Sequence, residues 1–176
     1  MKNERTNVGP ILIHPKSRLV VAACLILAAS ALPVTELARA GGSPPQPVDS
    51  TPFLLPASIN GCGFDYWVSL SGKSGRINLP GGNFILTSPG LHVTLTNAND
   101  STKTVTLNVT GSSRYSTDQN GNFIVKATGR NAFFGPAFGT LLFIGDFTVV
   151  LDPNTGVLLQ APTGNGQIIN VCEMIN

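Results

Sequence analysis

Two neighbouring segments alternate most cleanly between apolar and polar positions. Leu91, Val93 and Leu95, then Val105, Leu107 and Val109, fall on one side of an extended chain, with His92, Thr94, Thr96, Thr104, Thr106, Asn108 and Thr110 on the other. A period of two predicts a half-buried antiparallel pair joined through the polar loop Asn97 to Lys103. The same phase runs through Cys62-Gly63-Phe64-Asp65-Tyr66-Trp67-Val68, with Cys62, Phe64, Tyr66 and Val68 on one face and Asp65, Trp67 and Ser69 on the other.

Further strands are predicted at Gly75 to Leu79, Phe84 to Thr87, Asn122 to Thr128, Gly156 to Gln160 and Gln167 to Cys172. Asn120-Gly121 is a tight-turn signal, and Asp152 to Gly156 reads as a longer hairpin loop. Thr140 to Asp152 is read as one strand bent at Gly145, because continuity keeps Leu141, Phe143, Phe147, Val149 and Leu151 on one face, whereas a hairpin at Gly145-Asp146 would mix both. Between Gly129 and Gly139, Phe133, Phe134, Pro136 and Phe138 mark an apolar connection crossing the core. About eight short strands, with no segment of helical period, predict a single all-β domain over 59–176, an antiparallel β-sandwich of Ig-like or jelly-roll-like type.

The first forty residues follow a different pattern. Lys2, Arg5, Lys16 and Arg18 precede an uncharged apolar run from Leu19 to Leu32, and Ala38-Arg39-Ala40 supplies a small-x-small site. This is the form of a secretory signal peptide over 1–40, cleaved after Ala40, with a run too short for an ordinary membrane-spanning helix. Val21-Ala22-Ala23-Cys24 has lipobox residue types, but too little apolar chain precedes its cysteine. The expected destination is extracellular, with the periplasm as the alternative. From Gly41 to Pro56 the chain is rich in Pro, Ser and Gly and reads as an extended arm or linker over 41–58, although Phe53-Leu54-Leu55 gives its end something to pack.

Removing the leader changes the charge and cysteine arguments. The whole chain carries a net charge of +2, but beyond residue 40 there are six Lys and Arg against seven Asp and Glu, a net of −1. No basic excess remains to recruit nucleic acid, and no membrane span is expected in the mature chain. Two cysteines also remain, Cys62 and Cys172, and an oxidising compartment predicts a disulfide between them. Closing that loop would remove unfolded-state freedom worth about 4 to 5 kcal/mol on the chain-entropy model.

Several short motifs bear on family. Cys62-Gly63-Phe64-Asp65, Pro89-Gly90-Leu91, Thr94-Leu95-Thr96-Asn97, Val105 to Gly111, the Asp118 to Gly121 turn, Thr128-Gly129-Arg130 and the closing Val171-Cys172 resemble, in this order, small secreted β-proteins that recur in actinobacterial genomes. Relatives carry Asp two residues before the last cysteine, where this chain has Asn170. The resemblance implies a secreted β-domain closed by a terminal disulfide; it carries over no catalytic residue.

Candidate chemistry is sparse. His92, the one histidine past residue 40, stands among threonines on an outward face, and no Gly-x-Ser-x-Gly elbow accompanies it. Gly72-Lys73-Ser74 lacks the earlier glycine and following helix of a phosphate loop. Asp118, Asn120 and Asn122, or Asp152 and Asn154, alternate oxygen ligands without completing a calcium loop. No cofactor or metal site is expected. Thr94-x-Thr96 and Thr104-x-Thr106 are too few repeats for an ice-binding face. Trp67, with Asp65 on the same face, is the candidate ligand contact, although cover by the Phe53-Leu54-Leu55 arm or a neighbouring loop is the favoured account of the tryptophan. The function expected is a non-enzymatic structural module or one contacting polysaccharide or a cell-surface component; the alternative is an extracellular hydrolase acting through a carboxylate pair from Asp65, Asp146, Asp152 and Glu173.

Overall fold

The structure, a computed structural model, describes residues 41–176. The leader expected over 1–40, with its cleavage site and Cys24, lies outside the described residues. Twelve strands are present among those described: β1 (Gly41–Gly42), β2 (Gln46–Pro47), β3 (Phe53–Leu55), β4 (Tyr66–Ser71), β5 (Lys73–Asn78), β6 (Phe84–Thr87), β7 (His92–Asn97), β8 (Thr104–Asn108), β9 (Gly111–Thr117), β10 (Phe123–Gly135), β11 (Gly139–Leu151) and β12 (Thr163–Asn170). One helical turn, α1 (Ala57–Asn60), joins β3 to β4. All pairings are antiparallel, and two sheets stack as a sandwich, as the alternation predicts.

The larger sheet runs β1-β5-β6-β9-β10-β11-β12, with β2 on a second stretch of β5; the smaller runs β3-β4-β7-β8. The chain passes between them at Gly72 alone, so of Gly72-Lys73-Ser74, read as a turn, Lys73 and Ser74 are already the first residues of β5, paired with β2. The β7–β8 hairpin forms with the predicted faces, its register setting Val93 opposite Leu107 and Leu95 opposite Val105. Its apolar face, with Tyr66, Val68 and Leu70 from β4 and Leu55 from β3, packs on Phe134 and Leu142 of the larger sheet and on Val171 and Ile175 of the tail. Each such side chain taken from water contributes about 1.5 to 3 kcal/mol.

β11 is one continuous strand through Gly145, as phase required, and its partner β10 is equally long. Here the structure corrects the reading of Gly129 to Gly139 as a crossover: that stretch is the upper arm and tip of the β10–β11 hairpin. Phe133 and Phe134 are both buried because successive strand residues face opposite ways, one into each of two apolar clusters. The second cluster, which includes Phe133, Phe143, Phe147, Val125, Val149 and Leu151, lies on the other face of the large sheet. Phe143 and Phe147 are four residues apart on one strand, a separation of about 13 Å if flat, yet their rings meet edge-on with centroids 5.1 Å apart. The strand must fold sharply between them, and Gly145, at φ +131°, is where it does so. Gly145 pairs with Gly129 and Gly166, and Gly129 with Gly111, so the crease runs across four strands.

Three other expectations change. The Pro-rich arm is not free: β1 and β2 run along the edge of β5, and β3 along the edge of β4. Proline suits such edges because the missing N–H can face solvent. Gly156 to Gln160 forms no strand, only an isolated Leu151–Leu158 bridge after the Asp152–Gly156 loop, and the last strand begins earlier than predicted, at Thr163. β9 has no counterpart in the sequence reading. No helix among the described residues is long and apolar enough to cross a membrane.

Candidate interaction face

β4 fixes the position of Trp67. Its burial alternates strictly, Tyr66 at 1%, Val68 at 1% and Leu70 at 4% exposed, while Trp67 between them is 45% exposed. The arm does not cover it. β3 pairs beside β4, turning Phe53 and Leu55 toward the core and leaving Leu54 flanking the indole on the outer face, itself 42% exposed. The favoured account of Trp67 as a covered residue is therefore corrected: a strand added in the plane of a sheet extends its outer face and screens none of it.

Register lays out that face in rows. Leu54, Trp67, Thr96 and Thr104 form the first, Ser69, Thr94 and Thr106 the second, and Ser71, His92 and Asn108 the third. Cross-strand hydroxyls bond within rows, Thr94 Oγ1 to Thr106 Oγ1 at 2.9 Å and Thr104 Oγ1 to Thr96 Oγ1 at 3.0 Å. Adjacent strands are about 4.8 Å apart and successive rows about 6.8 Å, so the face is a grid of hydroxyl, imidazole and amide groups with one apolar corner at Trp67 and Leu54. None of these rows contains an acid, lysine or arginine. His92 is exposed, with Nδ1 3.1 Å from the Gly90 carbonyl oxygen.

Asp65, the other candidate contact, is half-buried and already engaged. Its Oδ1 accepts the Ala57 N–H at 2.8 Å, which ties the start of α1 to the approach of β4. Its backbone oxygen accepts the Ala98 N–H at 3.0 Å. Asp65 therefore supports the end of the face on which Trp67 stands.

Directly behind β4 lies a polar knot that periodicity does not reveal. The Cys62–Cys172 disulfide is formed, with Cα atoms 5.3 Å apart. Against it, Thr140 at the start of β11 donates its N–H to Cys172 Sγ at 3.3 Å, and Thr140 Oγ1 lies 2.7 Å from the Tyr66 hydroxyl. Asn60, wholly buried, donates to the carbonyls of Leu55 and Phe64 and accepts the Cys62 N–H. Burial pushes the Tyr66 phenol up to about 12, only partly offset by Thr140. One step further along, Asn97 Nδ2 donates to the Ile175 carbonyl at 2.9 Å, holding the tail down. Among the described residues no buried side-chain nitrogen or oxygen lacks a partner. The hydrogen bonds of this knot join residues up to 80 positions apart, and, unlike the disulfide, which the two remaining cysteines predicted, they had no local signal in the sequence.

The acids have turn duties. Asp118 Oδ1 accepts the N–H groups of Asn120 and Asn122, and Asp152 Oδ1 those of Asn154 and Thr155. Backbone donors of this kind hold the carboxyls of Asp49, Asp118 and Asp152 below the usual carboxylate range, and the Thr102 hydroxyl does so for Asp100. A general acid requires the opposite displacement. Glu173 Oε1 accepts from Asn170 Nδ2 at 2.8 Å, and Asp146 is exposed on β11. Among the described residues no three of His, Cys, Asp and Glu cluster as metal ligands would.

The hydroxyl-lined face and the knot behind it are read from this chain's own residues, because no known family model matches the chain, and neither a curated protein nor a solved structure does.

Proposed function

We propose that the protein is a secreted, non-enzymatic interaction module that contacts a neutral, hydroxyl-rich polymer, of the polysaccharide class, across the outer face of β3-β4-β7-β8. The observation that carries this reading is Trp67, 45% exposed beside Leu54 on a face whose other side chains are uncharged hydrogen-bonding groups. An indole plane with polar groups at its edge suits the C–H face of a sugar ring. Hydroxyls such as the Thr94–Thr106 pair, in which one O–H remains free to donate, can exchange bonds with sugar hydroxyls. Lack of charge on the rows disfavours nucleic acid and anionic lipid. Export is supported by the leader pattern and by the disulfide, which an oxidising compartment preserves.

The test is retention of the purified, oxidised protein on a panel of insoluble neutral polysaccharides and cell-envelope fractions. Trp67→Ala is expected to leave thermal unfolding nearly unchanged, as an exposed position should, and to weaken retention at least tenfold. Retention of Trp67→Ala equal to that of the parent, on every fraction that holds the parent, refutes the reading. So does failure of the parent to bind any fraction.

A further inference from the structure

The larger sheet ends in an edge that is built to pair. β12 is bonded to β11 alone among the described residues, and seven of its eight residues are exposed. Edge strands are ordinarily protected by a lysine, a proline, a bulge or an inward charge. Thr163-Gly164-Asn165-Gly166-Gln167-Ile168-Ile169-Asn170 contains no proline and no charged side chain.

The ladder shows which groups the edge offers. Val171 donates its N–H to the Thr140 carbonyl at 2.8 Å, one step beyond the Leu141–Asn170 pair. In an antiparallel ladder this makes Leu141–Asn170 a pair without mutual hydrogen bonds, so Thr163, Asn165, Gln167 and Ile169 bond inward to β11. Gly164, Gly166, Ile168 and Asn170 consequently direct their N–H and C=O groups to the open side.

From this we propose that β12 pairs with β12 of a second copy of the chain, antiparallel about a two-fold axis at Gln167, joining two large sheets into one. The outward-bonding positions read Gly, Gly, Ile, Asn, and reversal sets each glycine opposite a side chain. Gly166 meets Ile168 of the second copy, and Gly164 meets Asn170. Ile168 is 45% exposed in a single copy, and opposite it stands the residue with no side chain to compete for the space. Two uncharged strands meet without like-charge repulsion. The same axis brings the Leu159 end of one copy toward the Met174 end of the other, residues that are 48% and 47% exposed. A two-fold contact of this kind is closed, because each copy uses its one open β12 edge.

Sedimentation of the oxidised protein from micromolar to millimolar concentration, with hydrogen exchange at both ends of that range, tests this. The expected result is a concentration-dependent dimer in which the amides of Gly164, Gly166, Ile168 and Asn170 become protected only at high concentration. Those of Asn165, Gln167 and Ile169 should be protected at both ends. Ile168→Lys, which sets two like charges beside the axis, should weaken the dimer at least tenfold with the inward amides still protected. A monomer at every concentration overturns the inference, as does a dimer whose outward amides exchange freely or one indifferent to Ile168→Lys. If that variant does not fold, the amide pattern of the parent decides alone. Trp67→Ala should leave the dimer unchanged, which separates this edge from the Trp67 face.

Discussion

The knot behind the disulfide makes a quantitative prediction through the pair Tyr66 and Thr140. The Tyr66 hydroxyl is inside the protein, on a residue 1% exposed, and the Thr140 hydroxyl 2.7 Å away is its partner. Thr140→Val nearly preserves shape but leaves the phenol unpaired in a buried site. An orphaned hydroxyl costs about 1 to 3 kcal/mol, so the variant should lose about 2 to 3 kcal/mol once its own weaker contact with the Asn60 carbonyl, at 3.4 Å, is included. Tyr66→Phe removes the hydroxyl and leaves Thr140 its bond to Asn60, for a loss of about 1 kcal/mol. In the double variant no hydroxyl is orphaned, and the loss should fall short of the sum by a coupling energy of about 1 to 2 kcal/mol. Urea unfolding at neutral pH, with the disulfide intact and constant m-values, measures all four corners of the cycle. Losses that add to within about 0.5 kcal/mol would refute the reasoning, because they would mean that the two hydroxyls do not depend on one another.

Three further outcomes are expected. Because the folded phenol of Tyr66 titrates near 12 and the unfolded one near 10, the unfolded state loses its proton first as pH rises; stability should be level from neutral pH to about 10, fall by about 2 to 3 kcal/mol between pH 10 and 12, and stay flatter in Tyr66→Phe, as read from urea midpoints. Cys62→Ser with Cys172→Ser opens a loop of 110 residues and should cost up to about 4 to 5 kcal/mol, seen as a lowered unfolding midpoint and no free thiol in the parent by mass spectrometry. Gly145→Ala should cost about 3 kcal/mol or more, since φ is +131° and the added Cβ would lie 2.2 Å from the Asn165 carbonyl oxygen; an unfolding midpoint equal to the parent's would remove the crease from β11.

Legibility of the chain followed how many faces each strand uses. β7, β8 and β4 have one buried face, so His92, Thr94 and Trp67 announce the outside and Val93, Leu95 and Tyr66 the inside. β10 beyond Gly129 is buried on both faces near its tip, so Phe133-Phe134 breaks the alternation and resembles a connection. β9 reads Gly-Ser-Ser-Arg-Tyr-Ser-Thr, without apolar period; it is a strand because β6 and β10 flank it, and Ser113 is buried with the Asn131 side chain as its partner. At the candidate site, phase gave the direction of Trp67 but not its surroundings. Whether Phe53-Leu54-Leu55 would lie over the indole or beside it depends on a strand pairing that no local pattern encodes, and Thr140, 74 residues from Tyr66, was beyond any periodicity argument.

The Cys62–Cys172 bridge also determines how the molecule carries mechanical load. Tension entering at Gly41 and leaving at Asn176 crosses from Cys62 to Cys172 through the sulfurs, so every residue between them is shielded from the pull. Only residues 41–62 and 172–176 can lengthen, by at most about 3.3 to 3.6 Å per residue. The first parts to yield would be β1, β2 and β3, the short edge strands of the arm. A tethered copy under drag would thus pay out its arm while β4, β7 and β8, with Trp67 on them, kept their shape.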